Sequence, residues 1–184
     1  MSFKNASANW TIRNATPDDV INIAAMHTAS WRVTYCGMLR DQYLDQAIEE
    51  ERRQHWLTRF QHLDNNRQCA LVVEVQNTLA GFAFAYGHAD PNWGSLLDNL
   101  HVLPDYKHQG LGKALLSNIA LWSCLNFPGD GLFLWAFEDN HSAKDFYEKQ
   151  GGIASGSMLW TAPDGSTINE ICYIWKDPRI LTTL

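Results

Sequence analysis

The spacing of apolar residues changes near residue 69, and that change constrains the fold more than any other feature. Before it, Val20, Ile23, Ala24, His27 and Trp31 recur at helical spacing, as do Leu44, Ala47 and Ile48, then Trp56, Leu57 and Phe60. After it, Cys69 to Val75 and Leu79 to His88 read as two strands joined by a tight turn at Gln76-Asn77-Thr78. A third strand, Ser95 to Leu103, ends at Pro104, and a helix follows from Gly110 to the neighbourhood of Asn126.

Local punctuation fixes the rest. A short strand at Thr11 to Ala15 meets Thr16-Pro17-Asp18-Asp19, where Thr16 can cap, Pro17 suits the first helical position and two aspartates complement the dipole. Tyr35-Cys36-Gly37 breaks that helix, and a second begins near Asp41; its charged run Glu49 to Arg53 reads as a solvated face. Leu132 to Phe137 is a buried strand, and Asn140 to Gln150 a short helix stopped by Gly151-Gly152. Ser157 to Ala162 and Thr167 to Trp175 form a hairpin around Pro163-Asp164-Gly165. The order is βααβββαβαββ, one mixed α/β domain, which the 184 residues fit.

Several function classes fall away. A net charge of −6 argues against nucleic-acid binding by phosphate neutralisation. No apolar run is long enough for a membrane helix, and Met1 to Trp10 lack the basic-then-apolar pattern of a signal peptide. Cys36, Cys69, Cys124 and Cys172 are scattered, with no metal-ligand spacing, so reduced thiols in a cytoplasmic protein are expected and no metal.

The segment from Leu100 to Leu116 carries the chemistry. A strand runs into a glycine-bearing loop that opens a helix, and such a helix start offers unpaired N–H groups and a positive dipole end to phosphate. Gly110 and Gly112 allow close approach of an anion, although the same pattern also serves as a purely structural turn. It is neither a Walker loop nor a dinucleotide fingerprint.

Lys107-His108-Gln109-Gly110-Leu111-Gly112 resembles the acetyl-CoA loop of the GNAT superfamily of N-acetyltransferases. Trp135-Ala136-Phe137-Glu138-Asp139-Asn140, with Ala143, Phe146, Tyr147, Glu148, Lys149 and Gly151, looks like that superfamily's second motif, in its usual order and spacing. Thr11-Ile12-Arg13 and the Trp31 to Gly37 stretch resemble its opening. Three departures stand out: Lys107 where Gln or Arg is commoner, His101 in place of a frequent aromatic, and Gly152 where Phe is usual.

The resemblance implies a mostly antiparallel sheet of about seven strands flanked by helices, with acetyl-CoA between two splayed central strands. It implies that the backbone of Leu100, His101 and Val102 pairs with the pantetheine arm. The loop from Lys107 through His108, Gln109, Gly110, Leu111, Gly112 and Lys113 would hold the pyrophosphate, with Asn140, Ala143, Phe146 and Tyr147 along the arm. Asn140 can also cap the following helix, and Ser142 with Asp145 could form such a cap as well. Tyr147 is the expected acid, protonating the departing thiolate; the alternative is an aromatic on a core-facing helix.

Asp98 and Glu138 are the carboxylate candidates for taking the acceptor's proton, and His101 and His88 are alternatives; each is also explicable as a polar strand residue. Trp31, Arg32 and Tyr35 fall where this superfamily borders its acceptor cleft, and aromatics there could hold a cationic amine, unless Trp31 is a core anchor. The expected activity is acetyl transfer to a primary amine of a small molecule within a ternary complex. Its rivals are a peptide or protein N-terminal acetyltransferase and a non-catalytic acyl-CoA sensor, and a homodimer would be in keeping with the family.

Overall fold

The computed structural model describes residues 3–4 and 9–182. Strands β1 (Phe3–Lys4) and β2 (Trp10–Asn14) precede helices α1 (Val20–Thr34) and α2 (Ile48–Gln61). Strands β3 (Gln68–Val75), β4 (Thr78–Asp90) and β5 (Gly94–Val102) lead to α3 (Leu111–Asn126), β6 (Leu132–Phe137) and α4 (His141–Lys149). The hairpin of β7 (Ile153–Thr161) and β8 (Thr167–Trp175) completes the single sheet, ordered β1-β2-β3-β4-β5-β6-β8-β7. The seven expected strands all form, and the two-residue β1 adds an eighth at one edge.

Every pairing is antiparallel except β5 with β6. That parallel pairing covers only Ser95↔Leu132 and Leu96↔Phe133, after which the two strands part. Helix α3 packs Leu111, Ala114, Leu115 and Ile119 on one face of the sheet, together with Tyr147 of α4. On the opposite face α1 and α2 bury Ile23, Met26 and Trp56 against Val72, Phe82 and Phe84. Such double coverage explains why β3 and β4 read as near-continuous apolar runs rather than strict alternation.

The start of α1 works through Asp19 more than through the expected Thr16 cap. Its carboxylate accepts the Thr16 N–H at 2.8 Å and two bonds from Arg13 at 2.7 and 2.8 Å. The Arg13 guanidinium holds that carboxyl below its ordinary pKa against the opposing effect of burial.

Two sequence expectations need correction. Strand β7 begins at Ile153 rather than Ser157; as an exposed edge strand it carries no apolar alternation, and its register slips between Ala154 and Gly156. The run Glu49 to Arg53 is not uniformly solvated, because Arg52 is buried, its guanidinium lying 4.4 Å from the Trp31 ring centroid and bonded to Glu51.

Candidate active site

Where β5 leaves β6, the β5 backbone from Leu97 to Val102 keeps its bonds to β4 and faces the gap with its other edge. Gly81 sits opposite Val102 and Phe82 opposite His101, while Asn99 pairs Phe84 and Leu97 pairs Ala85, so Asp98 is the extra residue of a bulge. A bulge bends the strand, which helps it diverge from β6. Leu100 and Val102 turn toward the α3 side, and His101 turns toward α1.

The loop after β5 is shaped for close approach. His108 and Gly110 both have positive φ, 60° and 83°, and Gln109 Nε2 donates to the Asp105 carbonyl at 3.0 Å. The Ala114 N–H is the first of α3 to find a carbonyl, that of Gly110 at 2.9 Å. The N–H groups of Leu111, Gly112 and Lys113 therefore point out of the helix start. A Cβ on Gly110 would have nothing within 4 Å, whereas one on Gly112 would touch Phe146 at 3.6 Å and Val102 at 3.8 Å. Gly110 thus leaves open space over the loop, and Gly112 brings α3 close to α4 and β5.

Helix α4 starts at Asn140, whose Oδ1 accepts the Ala143 N–H at 3.1 Å, so the capping role is real. The Asn140 main-chain N–H donates to the Phe137 carbonyl at 2.9 Å, while its side-chain NH2 makes no bond among the described residues. Tyr147 is 8% exposed, with the rings of Phe146, Tyr173 and Trp175 at 5.2, 6.0 and 6.1 Å. Its hydroxyl has no hydrogen-bond partner among the described residues. Burial pushes its pKa up, and proximity to Tyr35 adds to the rise, so it holds its proton firmly.

Gly152, which lacks the bulky side chain usual there, is accounted for by Trp175. A Cβ at Gly152 would lie 2.8 Å from that indole and 3.0 Å from the Tyr147 carbonyl. The indole fills the volume and donates to the Gln150 carbonyl at 3.0 Å.

On the α1–α2 side the expected acceptor residues take different parts. Trp31 is 7% exposed, with Arg52 over its face, so it is a core anchor and not an open cation site. Arg32 is committed to the chain between the helices: its Nε donates to the Leu44 carbonyl at 2.8 Å and it pairs with Glu49 at 3.6 Å. It braces the π-helical segment Tyr43–Ala47. Tyr35 does reach the gap, its ring 4.4 Å from that of Phe137 and 5.1 Å from Trp31.

The carboxylates and histidines first singled out are also engaged. Asp98 accepts from Arg59 at 2.7 Å, and the same guanidinium donates to Asn99 Oδ1 at 3.0 Å. Glu138 is exposed and accepts from Asn169 Nδ2 at 3.1 Å. His101 pairs through Nδ1 with Ser30 Oγ at 2.8 Å, packs on Phe82 and is held down to about 4 by burial, so it is neutral at physiological pH. His88 sits beyond the paired end of β5 and β6, bonded to Asp130 at 3.1 Å.

A profile of the acetyltransferase (GNAT) family matches residues 30–152, spanning the gap, the loop and α4. The chain belongs to the GNAT acetyltransferase family. It is 30% identical over 170 residues to a probable N-acetyltransferase of Mycobacterium tuberculosis, covering 90% of this chain and 93% of that one. It is 28% identical to streptothricin acetyltransferase A of Bacillus subtilis, covering 83% of each. Among solved structures, the PaiA N-acetyltransferase of Thermoplasma acidophilum in complex with coenzyme A superposes with a TM-score of 0.67 at 22% identity, covering 89% of this chain and 98% of that one.

As a GNAT acetyltransferase the protein needs an acetyl donor, and the observed residues fit acetyl-CoA. The open space over Gly110, the outward N–H groups after it and the free edge of β5 are the features such a ligand needs. One partly buried carboxylate beside the gap escaped the sequence reading. Glu170 on β8 lies opposite Phe137, on the sheet face that carries Ile168 and Phe137, and is partly buried. Burial, with Asp98 adding its charge, pushes its pKa up to about 7. No spacing rule flags it, because it reads as one polar residue in a hairpin strand.

Proposed function

We propose that this GNAT protein transfers an acetyl group from acetyl-CoA to a primary amine of a small molecule, by direct attack within a ternary complex. The observation that carries the reading is the enclosure of the gap on its acceptor side. Trp160, Ala162 and Ile168 of the β7–β8 hairpin region pack against Leu39, Tyr43 and Leu44, and the Arg40 N–H donates to Asp164 Oδ2 at 2.8 Å. The half-buried Tyr35 and Trp160 stand at the edge of that cluster with Trp31 and Phe137 packed beneath them, and a side closed in this way suits a compact acceptor better than a threaded peptide. An open groove of about 520 Å³, lined by Glu51, His55, Arg59 and Tyr86, gives an approach as far as the Arg59–Asp98 pair.

In this scheme acetyl-CoA supplies an activated thioester, and the chain supplies position and proton control. Leu100, His101 and Val102 hold the pantetheine arm through the free edge of β5, and backbone donors near Val102 polarise the thioester carbonyl. The loop from Lys107 to Lys113 holds the pyrophosphate, with Asn140, Ala143 and Phe146 along the arm. Tyr147 enters from the α4 side, keeps its proton in the resting state and delivers it to the leaving sulfur. An acyl-CoA sensor would have no use for that unpartnered phenol.

The test is a panel of alkylamines, diamines, amino sugars, streptothricin and short peptides, with acetyl-CoA and thiol release as the readout. Turnover of small amines above the peptides is the expected result. Turnover of peptides alone would replace the reading with an N-terminal acetyltransferase, and none at all would favour the sensor.

A further inference from the structure

Most ionic side chains around the gap are already paired. Arg52 is bonded to Glu51, Arg59 to Asp98, and Glu138 to Asn169. Glu170 differs: it has neither an ion pair nor a hydrogen bond among the described residues. We propose that Glu170 is the general base of the reaction, its carboxylate removing the proton of the acceptor's ammonium on the α1–α2 side of the gap. This rests on the amine reading above.

The placement follows from register and alternation. Glu170 pairs with Phe137, the last residue of β6, well past the point where β6 has left β5. Ile171 and Tyr173 pack on the α3 side, while Ile168 packs with Trp31 and Phe137 on the other face, so period two puts Glu170 on that other face as well. Tyr147 approaches from the α3 side. Tyr35 is the group common to both, since its phenol is close enough to interact electrostatically with Tyr147 and with Glu170. Acid and base are thereby separated by the gap, one on the thioester's side and one on the amine's.

The environment suits the task. A carboxyl raised to about 7 is ionised in part at neutral pH yet basic enough to compete for an ammonium proton. The groups facing it are Asp98 from β5 and Tyr35 from the end of α1, with Arg52 of α2 acting on Tyr35; Glu138, at the end of β6, falls on the opposite face with its partner Asn169. None of these neutralises Glu170 by contact, so an arriving ammonium is the missing counter-charge. The proton balance closes. The ammonium gives one proton to Glu170, and the freed nitrogen lone pair forms the C–N bond to the thioester carbon. The C–S bond breaks with its electron pair leaving on sulfur, which takes the Tyr147 proton. The surplus proton on nitrogen returns to the Tyr147 oxygen by way of Tyr35, and Glu170 releases its own to solvent.

The experiment compares wild type with Glu170→Gln on n-butylamine, protonated at pH 7, and on trifluoroethylamine, which is largely neutral there. We expect a loss of about 100-fold or more with n-butylamine and near-parental turnover with trifluoroethylamine, which has no proton to surrender before attack. An equal loss on both probes overturns the base assignment and leaves Glu170 a positioning residue. If wild type acetylates neither probe, the amine reading is what these probes fail to support, and carboxyl-carbon NMR of the CoA-bound full chain decides on Glu170 independently. The resonance absent from Glu170→Gln should titrate near pH 7 and shift its midpoint downward when n-butylammonium is added. A midpoint in the ordinary glutamate range, about 4.3, that ignores n-butylammonium overturns the proposal.

Discussion

Tyr147 is the residue on which the proposed chemistry turns. Removing its hydroxyl costs little packing, since the ring keeps its contacts with Phe146, Tyr173 and Trp175. Acid–base groups contribute about 10²–10⁴ in rate, so Tyr147→Phe should lower kcat by a factor in that range with CoA affinity nearly unchanged, as steady-state kinetics and calorimetry would show. The deficit should shrink for an acyl donor with a better leaving thiol, whose thiolate needs less protonation. Parental turnover on every donor would make Tyr147 a packing residue. The residue was legible in the sequence only through its motif. That its hydroxyl is unpartnered and near Tyr35 depends on α4 and the end of α1 meeting across the gap, which no local pattern encodes.

At the scale of elements, the loop between β5 and α3 is the part most open to test. Gly110 has a φ of 83° and open space where a Cβ would go. Alanine there meets no clash and costs only the left-handed backbone strain, of order 1 kcal/mol. Gly110→Glu adds bulk and a negative charge facing the pyrophosphate. The two variants should lose similar thermal stability without ligand. With CoA added, Gly110→Ala should keep a melting shift and Gly110→Glu should not; a normal shift in Gly110→Glu would refute the loop assignment. The same segment shows what local sequence encodes well, because a glycine helix start is specified by neighbours in the chain. The start of β7 was missed for the opposite reason: its partners are β8 and solvent, so its own residues carry no periodic signal.

At the scale of the whole molecule, ligand binding and pH both feed into stability. A ligand bound only by the native state stabilises it by about 2.7 kcal/mol at a hundredfold excess over Kd. Millimolar CoA should therefore raise Tm visibly, and no shift would remove the cofactor assignment. Glu170 supplies a second, opposite lever. Its folded pKa of about 7 exceeds the ordinary 4.5, so the native state binds more protons than the unfolded state between those values. Stability then falls as pH rises through that window and levels off above it. Glu170→Gln lacks this term, so its Tm should match wild type near the bottom of the window and exceed it increasingly up to neutral pH, in scanning calorimetry at several pH values. A constant difference at all pH would contradict the raised pKa.

Element order, the loop and the α4 motif belong to the sequence by itself, since each depends on spacing within one segment: helical period to residue 60, strand period after residue 69, a glycine pair opening a helix. The roles at the acceptor side were decided by tertiary structure alone. Trp31 became a core anchor because Arg52 from another helix covers its face, and Asp98 became half of an ion pair because α2 brings Arg59 to it. Glu170 acquired its character only because the fold half-buries it near Asp98 with no cation bonded to it among the described residues. Local spacing dictates backbone conformation; charge and solvation are set by neighbours distant in the chain.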